Sequence, residues 1–159
     1  VTNEQLMSRK HFARYLVEKK ICKSVGEVFD RFLKVGGPCY VANSWVGLKE
    51  GVSWIHDAGG IAVLAHPGRY DIDDLAVNQL IADFIDAGGQ AMEAVTGSHT
   101  PDQYPEFARK AEKRGLVLSQ GSDYHGKSES YISCGKIPKI VTNVPMVWEK
   151  YDLFDTSKL

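Results

Sequence analysis

The sequence predicts an α/β protein built around a parallel sheet, and three observations support that fold class. Short apolar runs alternate with helical segments along the chain beyond residue 45. The tetrapeptide DAGG occurs at 57–60 and again at 86–89, ending a helical segment each time and preceding the apolar runs IAVLAH and QAMEAV. A third apolar run, LVLSQGSD at 116–123, follows a helical segment that ends in glycine. Because such alternation is typical of βα units, the runs are expected to pair as parallel strands.

Residues 1–45 are predicted to form a separate helical subdomain. Ser8 can cap the segment RKHFARYLVEKK, in which apolar side chains recur on one face. Ser24 and Glu27 have the spacing of a capping box at the start of a second apolar stripe. The rest of the chain, 46–159, is assigned to the α/β part.

Three further helices are expected, one before each apolar run. Apolar residues at i, i+4 and i+7 over 48–55 predict the first, and a broad apolar stripe over 75–85 predicts the second. The third, TPDQYPEFARKAEKRG, has Thr100 as its expected N-cap and Gly115 at its end. The tail from about residue 136 contains two prolines and is predicted to be an irregular packing segment.

Composition and charge argue against several classes of function. A length of 159 residues suggests one domain, or one domain with a small appendage. The formal net charge of −1 provides no general attraction to nucleic acid or membranes. No apolar run approaches the roughly 18 residues of a membrane span. The N-terminus is polar and begins with Val1 rather than Met, so we expect it to be the interior of a longer chain and not a signal peptide.

The cysteines Cys22, Cys39 and Cys134 are widely spaced and form no CxxC pair. Neither a disulfide framework nor a zinc ribbon is indicated. Free thiols are typical of the reducing cytoplasm, which is therefore the expected location.

Polar side chains follow all three predicted strands. They are His66 and Arg69 after the first strand, Ser98 and His99 after the second, and Asp123 and His125 after the third. Since ligands bind beyond the carboxyl ends of parallel strands, these side chains are expected to share one site. The convergence of three strand ends is a stronger indication than any single motif.

Carboxylate and imidazole together suit manganese, iron or zinc, which makes His66, Asp123 and His125 candidate metal ligands. Such ions acidify bound water and can hold a phosphoryl group, so Asp123 and His125 are also the catalytic candidates. Taken singly, each has a plainer interpretation as a loop cap, a turn cap or a surface imidazole. His99 is predicted to be an outer donor or a substrate contact rather than a metal ligand.

Arg69 and Arg9 are the candidates for phosphate recognition, because a guanidinium matches phosphate geometry. Arg9 also opens a helix, whose free amides attract anions. The alternative is that its segment is an ordinary solvated basic face. Lys127, Ser128 and Glu129 are expected either to shape the mouth of the site or to form an ordinary loop.

Four segments in order, SRKHFARYLVEKK, IAVLAHPGRY, EAVTGSHTPDQ and GSDYHG, together resemble the PHP (polymerase and histidinol phosphatase) phosphoesterases. The resemblance is greatest to the bacterial group that includes ribonuclease AM and the nucleoside 3′,5′-bisphosphate phosphatases, and it runs from Ser8 to about Ile137. It implies a distorted, TIM-like (β/α)7 barrel, of which 46–159 would be the C-terminal part. Residues 1–45 would be the helical insertion that caps the substrate.

The same resemblance implies a site of up to three divalent metals, usually manganese. His66, Asp123 and His125 match ligand positions of the family motifs. The residues that inherit a role in binding substrate are Ser8, Arg9, His11, Arg69 and His99.

The family begins with a strand ending in His-x-His and continues with further acidic and histidine ligands, which have no counterpart here. Glu93 lies on a predicted strand and is not taken as the family's bridging glutamate. We therefore expect weak metal binding and little hydrolysis by this chain alone. Half a barrel would leave sheet edges uncovered, which predicts association with the missing N-terminal half or self-association.

The leading hypothesis is a metal-dependent phosphatase of 3′,5′-bisphosphonucleotides, or a 5′–3′ exoribonuclease acting on short RNA ends. One alternative is a non-catalytic module that binds nucleotides or a partner. Another is a phosphatase of the histidinol-phosphate type, which would share the metal chemistry.

Overall fold

A computed structural model describes residues 7–42, 44–126 and 132–152 of the protein. The chain separates into two units on either side of the bond between Trp45 and Val46. The first unit is helical and the second contains the sheet. In the part of the chain that is described, no helix is long and apolar enough to cross a membrane.

The first unit consists of two helical segments around a small core. Helix α1 spans Arg9–Glu18, and α2 spans Val25–Val28 and continues as a π-helical turn over Phe29–Leu33. The hydroxyl of Ser24 accepts a hydrogen bond from the amide of Glu27 at 3.1 Å, so the expected N-cap of α2 is present. The side chains buried together are Ala13, Cys22, Val28 and Leu33.

The second unit alternates helices with the strands of a three-stranded sheet. Its elements are α3 (Leu48–Asp57), β1 (Val63–Leu64), α4 (Asp74–Asp86), β2 (Ala91–Thr96), α5 (Gln103–Arg114), β3 (Val117–Gly121) and α6 (Val147–Lys150). The strands lie in the order β1-β2-β3, and both neighbouring pairs are parallel. The predicted α/β class with a parallel sheet is confirmed.

The two DAGG segments form the same turn at the ends of α3 and α4. Gly59 and Gly88 have left-handed backbones, with φ of 75° and 98°. The next glycine in each copy donates its amide back to the helix, Gly60 to the carbonyl of Ile55 and Gly89 to that of Phe84. These bonds satisfy helix carbonyls that would otherwise lack partners, so the repeat ends each helix and starts the following strand segment.

Helix α5 begins later than its sequence predicts. The prediction of Thr100 as N-cap is wrong, because 100–102 form a turn and the helix starts at Gln103. The side chain of Gln103 accepts a hydrogen bond from the amide of Thr100 at 2.9 Å, and the amide of Gln103 donates to the carbonyl of Thr100. The polar spacing therefore stabilises the turn that leads into the helix.

The tail is more regular than predicted. It contains the short helix α6, and Met146 forms a parallel bridge with Leu118 on β3. Val144 and Val147 are buried. The tail thus covers the β3 edge of the sheet, as a packing segment with backbone pairing of its own.

The main core lies between the sheet and the helices of the second unit. Its fully buried members are Ala62, Ile81, Met92, Ala94, Ala111 and Leu118. All three cysteines are free, Cys22 buried and Cys39 and Cys134 exposed.

Candidate active site

The loops that follow the three strands meet at one edge of the sheet. The β2–β3 register ends with Thr96 opposite Gly121, and the amide of Gly97 then donates to the carbonyl of Gly121. This pairing brings the segments that carry Ser98 and Asp123 side by side.

Asp123 is the centre of the contacts at this edge. Its Oδ2 accepts a hydrogen bond from the hydroxyl of Ser98 and lies 3.3 Å from Nη1 of Arg69. Its Oδ1 lies 3.4 Å from Nε2 of His125. Side chains from all three loops therefore converge on one carboxylate, of which only 17% is exposed.

The surroundings of Asp123 keep its carboxylate ionised. Partial burial acts to raise its pKa, but the Ser98 hydrogen bond and the nearby charges of His125, His66 and Arg69 outweigh it and hold the pKa below the usual range. An ionised carboxylate beside imidazoles has the donor chemistry of a divalent-metal site.

His66 and Asp123 both have left-handed backbones, with φ of 32° and 49°. Such conformations are unfavourable for residues other than glycine and cluster at functional sites. His66 also precedes Pro67, a position at which helical conformations are disfavoured. Surrounding contacts must therefore support the backbone at both candidate ligands.

The imidazole of His66 has a buried Nδ1 with no hydrogen-bond partner, the only such side-chain atom in the described residues. Its ring lies edge-on to Tyr70, with centroids 5.9 Å apart. A buried polar atom without a partner is unfavourable, and a bound cation would satisfy it. The donor types thus fit a metal.

The three candidate ligands do not complete a metal centre. Asp123 and His125 are in contact, and His66 is near enough to affect the pKa of Asp123. Nevertheless, no group of three histidine, cysteine, aspartate or glutamate residues within 7–42, 44–126 and 132–152 could hold a metal ion. Metal ligation by His66, Asp123 and His125 stays a prediction.

His99 is buried and connects β2 to the loop after β1. Its Nδ1 donates to the carbonyl of Ala94 at 2.9 Å, and its Nε2 accepts from the amide of Gly68 at 2.9 Å. The ring stacks on Phe107 with centroids 4.8 Å apart. The predicted contact with substrate stays a prediction and would require one of these hydrogen bonds to break.

Burial lowers the pKa of His99, so folding favours its neutral form. Protonation of Nε2 would also place its N–H against the N–H of Gly68, so the hydrogen bond between them would be lost. The unfolded chain binds the proton more readily, so the stabilisation is complete above the ordinary histidine pKa of 6.5 and is lost as the pH falls below it. We expect the free energy of unfolding, measured with urea between pH 8 and pH 5, to fall less steeply in H99Q than in wild type.

H56Q, at an exposed histidine on α3, is the control for loss of a histidine elsewhere in the chain. If the free energy of unfolding falls equally steeply with pH in wild type and H99Q, the folded state does not depend on a neutral His99.

In the first unit, the predicted phosphate-binding residues share the start of α1. Nδ1 of His11 accepts a hydrogen bond from the amide of Ser8 at 3.0 Å and lies 2.9 Å from its hydroxyl. The guanidinium of Arg9 lies 5.8 Å from the ring centroid of Phe29. Their role in binding substrate stays a prediction.

Lys127, Ser128 and Glu129, which were expected at the mouth of the site or in an ordinary loop, lie outside the described residues.

The structure adds Glu93, whose side chain reaches the site from β2. Its Oε2 accepts a hydrogen bond from the amide of His66 at 2.7 Å. From the sequence, Glu93 is expected only to lie on a strand and not to be the bridging glutamate of the family. The available signal was a single carboxylate inside the otherwise apolar run AMEAV, a place where charge is unusual.

Curated relatives match nearly the whole chain. A 3′,5′-nucleoside bisphosphate phosphatase of Chromobacterium violaceum is 40% identical over 150 residues, which are 94% of this chain and 53% of that protein. The 5′-3′ exoribonuclease Rnm of Escherichia coli is 36% identical over 147 residues, 91% of this chain and 50% of that protein. The chain spans about half the length of these relatives. No family model matches it.

Solved structures share the fold. An amidohydrolase from Chromobacterium violaceum, with bound sulfate and no metal, superposes with a TM-score of 0.86 at 40% identity, covering 95% of this chain and 52% of that one. A phosphoesterase structure from Bifidobacterium adolescentis superposes with a TM-score of 0.70 at 21% identity, over 91% and 49% of the two chains, and shows the fold alone.

The chain that has this α/β fold and the cluster around Asp123 is thus homologous to hydrolases of phosphate esters. The relatives include one phosphatase, three exoribonucleases and one phosphodiesterase.

Proposed function

We propose that the protein is a metal-dependent phosphoesterase of the PHP type, acting on 3′,5′-bisphosphonucleotides or on the 5′ ends of short RNA. The observation that carries this proposal is the convergence of three strand-end loops on Asp123, with Arg69, Ser98 and His125 in contact with its carboxylate. Similarity to a bisphosphate phosphatase and an exoribonuclease supports the two substrate classes.

His66, Asp123 and His125 would hold a divalent cation, with manganese the expected metal. The cation would supply a nucleophilic hydroxide and neutralise charge on the phosphoryl oxygens. The hydrogen bond from Ser98 would keep the carboxylate of Asp123 in one orientation, as partners of metal ligands do.

Arg69 supplies the positive charge that a phosphate ester requires. Its side chain is 57% exposed and its ion pair with Asp123 is 3.3 Å long. An exposed guanidinium at that distance can exchange a carboxylate for a phosphate, which it binds in a similar planar arrangement. His99, Ser8, Arg9 and His11 complete the proposed set of substrate-binding residues, with 1–45 as the capping insertion.

The relatives are about twice as long as this chain, and we propose that the complete protein carries further metal ligands in the N-terminal part of a TIM-like barrel. In the described residues β1 pairs with β2 alone, so its other edge is open to another strand. Trp54 and Ile55 of α3 are 55% and 41% exposed. Association of this chain with the N-terminal part, or with itself, would cover such apolar surface.

The test is phosphate release from adenosine 3′,5′-bisphosphate in the presence of Mn²⁺, by the intact protein and by the 159-residue chain. We expect turnover by the intact protein, abolished by a chelator, and little or none by the chain alone. If the intact protein binds the nucleotide without hydrolysing it, the enzyme hypothesis is excluded and the alternative of a non-catalytic binding module is supported. Release of a histidinol phosphate in preference to the nucleotide would exclude the proposed substrates.

A further inference from the structure

Glu93 is a carboxylate within the central strand, and its side chain meets the end of the neighbouring strand. Strands β1 and β2 are in register at Leu64 and Met92. Just beyond this pair, the amide of His66 donates to Oε2 of Glu93 at 2.7 Å. The side chain of Glu93 therefore holds the backbone of His66, the candidate metal ligand that follows β1.

An irregularity in β2 accompanies this contact. The register between β2 and β3 shifts between Glu93 and Val95, so that Ala94 has no partner on β3. The carbonyl of Ala94 instead accepts a hydrogen bond from Nδ1 of His99. Bulges of this kind redirect side chains beside active sites. Here the irregularity directly follows Glu93, the residue of β2 whose side chain binds the amide of His66.

The carboxylate of Glu93 occupies a defined space at this edge. A Cβ built on Gly121, at the end of β3, would lie 3.2 Å from Oε1 of Glu93. Burial and then the negative charge of Glu93 raise the pKa of Tyr70, whose hydroxyl donates to the carbonyl of Ala65. The half-buried Glu93 thus lies between the loop after β1 and the end of β3.

The backbone of His66 requires a stabilising contact of this kind. Its backbone is left-handed, with φ of 32° and ψ of 56°, and its amide has the Glu93 carboxylate as its acceptor. Its imidazole leaves a buried Nδ1 without a partner. A conformation that is unfavourable in itself persists only where surrounding contacts hold it.

We propose that Glu93 is a positioning residue for His66. By accepting the His66 amide, its carboxylate keeps the imidazole in the orientation that leaves Nδ1 for a divalent cation. Glu93 itself is not assigned as a ligand. This inference rests on the proposed function, since it assumes that His66 binds the metal.

The test compares E93M, which keeps the length of the side chain but has no acceptor, with E93Q, which keeps an acceptor oxygen. Mn²⁺ affinity of the intact protein is measured from the electron paramagnetic resonance signal of free Mn²⁺. Hydrogen exchange of the His66 amide is measured by NMR without metal. We expect the Kd for Mn²⁺ to rise about 10- to 100-fold in E93M, the usual effect of removing a partner of a metal ligand.

E93Q should restore the Mn²⁺ affinity and the protection of the His66 amide, whereas E93M should lose both. Glu112, exposed on α5, provides the control E112M, which should match wild type in both measurements. Thermal unfolding of all variants identifies any that fail to fold. If E93M does not fold, wild-type Mn²⁺ affinity and His66 amide protection in E93Q support the positioning role, and their loss in E93Q overturns it.

The possible failures are distinguishable. If E93M binds Mn²⁺ as tightly as wild type, the positioning role is overturned and the phosphoesterase proposal stands. If E93Q is as defective as E93M, hydrogen-bond acceptance is not the role of Glu93 and the inference is overturned. If wild type binds no Mn²⁺, the proposed function fails, and this inference fails with it.

Discussion

Replacing Asp123 by Asn in the intact protein is expected to lower Mn²⁺-dependent phosphate release from adenosine 3′,5′-bisphosphate by more than about a hundredfold. Removing a residue that only hydrogen-bonds to a metal ligand costs up to about a hundredfold, and loss of a ligand itself should cost more. Asn keeps the size of the side chain and removes its charge. Three groups lose their anionic partner: Ser98, Arg69 and His125. A neutral amide is also a poor ligand for the divalent ions that carboxylates bind.

The matched control is D86N, because Asp86 is an exposed carboxylate at the end of α4 and away from the Asp123 cluster. D86N should retain wild-type activity. Circular dichroism of D123N should show an intact fold. Activity of D123N close to that of wild type would exclude Asp123 as a ligand and remove the central residue of the proposed site.

Gly97→Ala is expected to have the largest effect on stability among glycine substitutions at the site. A Cβ at Gly97 would lie 2.1 Å from the carbonyl oxygen of Ser122, an impossible contact with backbone rather than with a flexible side chain. The loops that carry Ser98 and Asp123 would have to separate. We expect the free energy of unfolding in urea to fall by about 1–3 kcal/mol or more, as in other overpacked sites.

Separation of these loops should also break the hydrogen bond between Ser98 and Asp123, so activity at a temperature where G97A is folded should fall as well. Gly47→Ala is the control, because nothing lies within 4 Å of a Cβ there and its φ is −63°. A G97A protein as stable and active as wild type would show that the two loops are not held together in this way.

Much of the fold follows from local features of the sequence. The run QAMEAV covers all of β2 but its last residue, Thr96, the run LVLSQGSD contains β3, and the stripe between Leu75 and Ile85 lies within α4. These elements were predictable because periodicity and glycine stops act over a few residues. In contrast, β1 has only two paired residues of the run IAVLAH, since the chain turns at His66, whose amide binds Glu93.

The parallel sheet, the helix ends at the DAGG turns and the residue types at the strand ends were determined by the sequence itself, through periodicity and backbone preferences that operate locally. Only the tertiary structure decided which of those side chains meet. Arg69 and Asp123 are 54 residues apart in sequence, and His66 and Glu93 are 27 apart. Such contacts depend on strand register and on the bulge in β2, and a one-residue shift of register would turn each strand side chain to the opposite face.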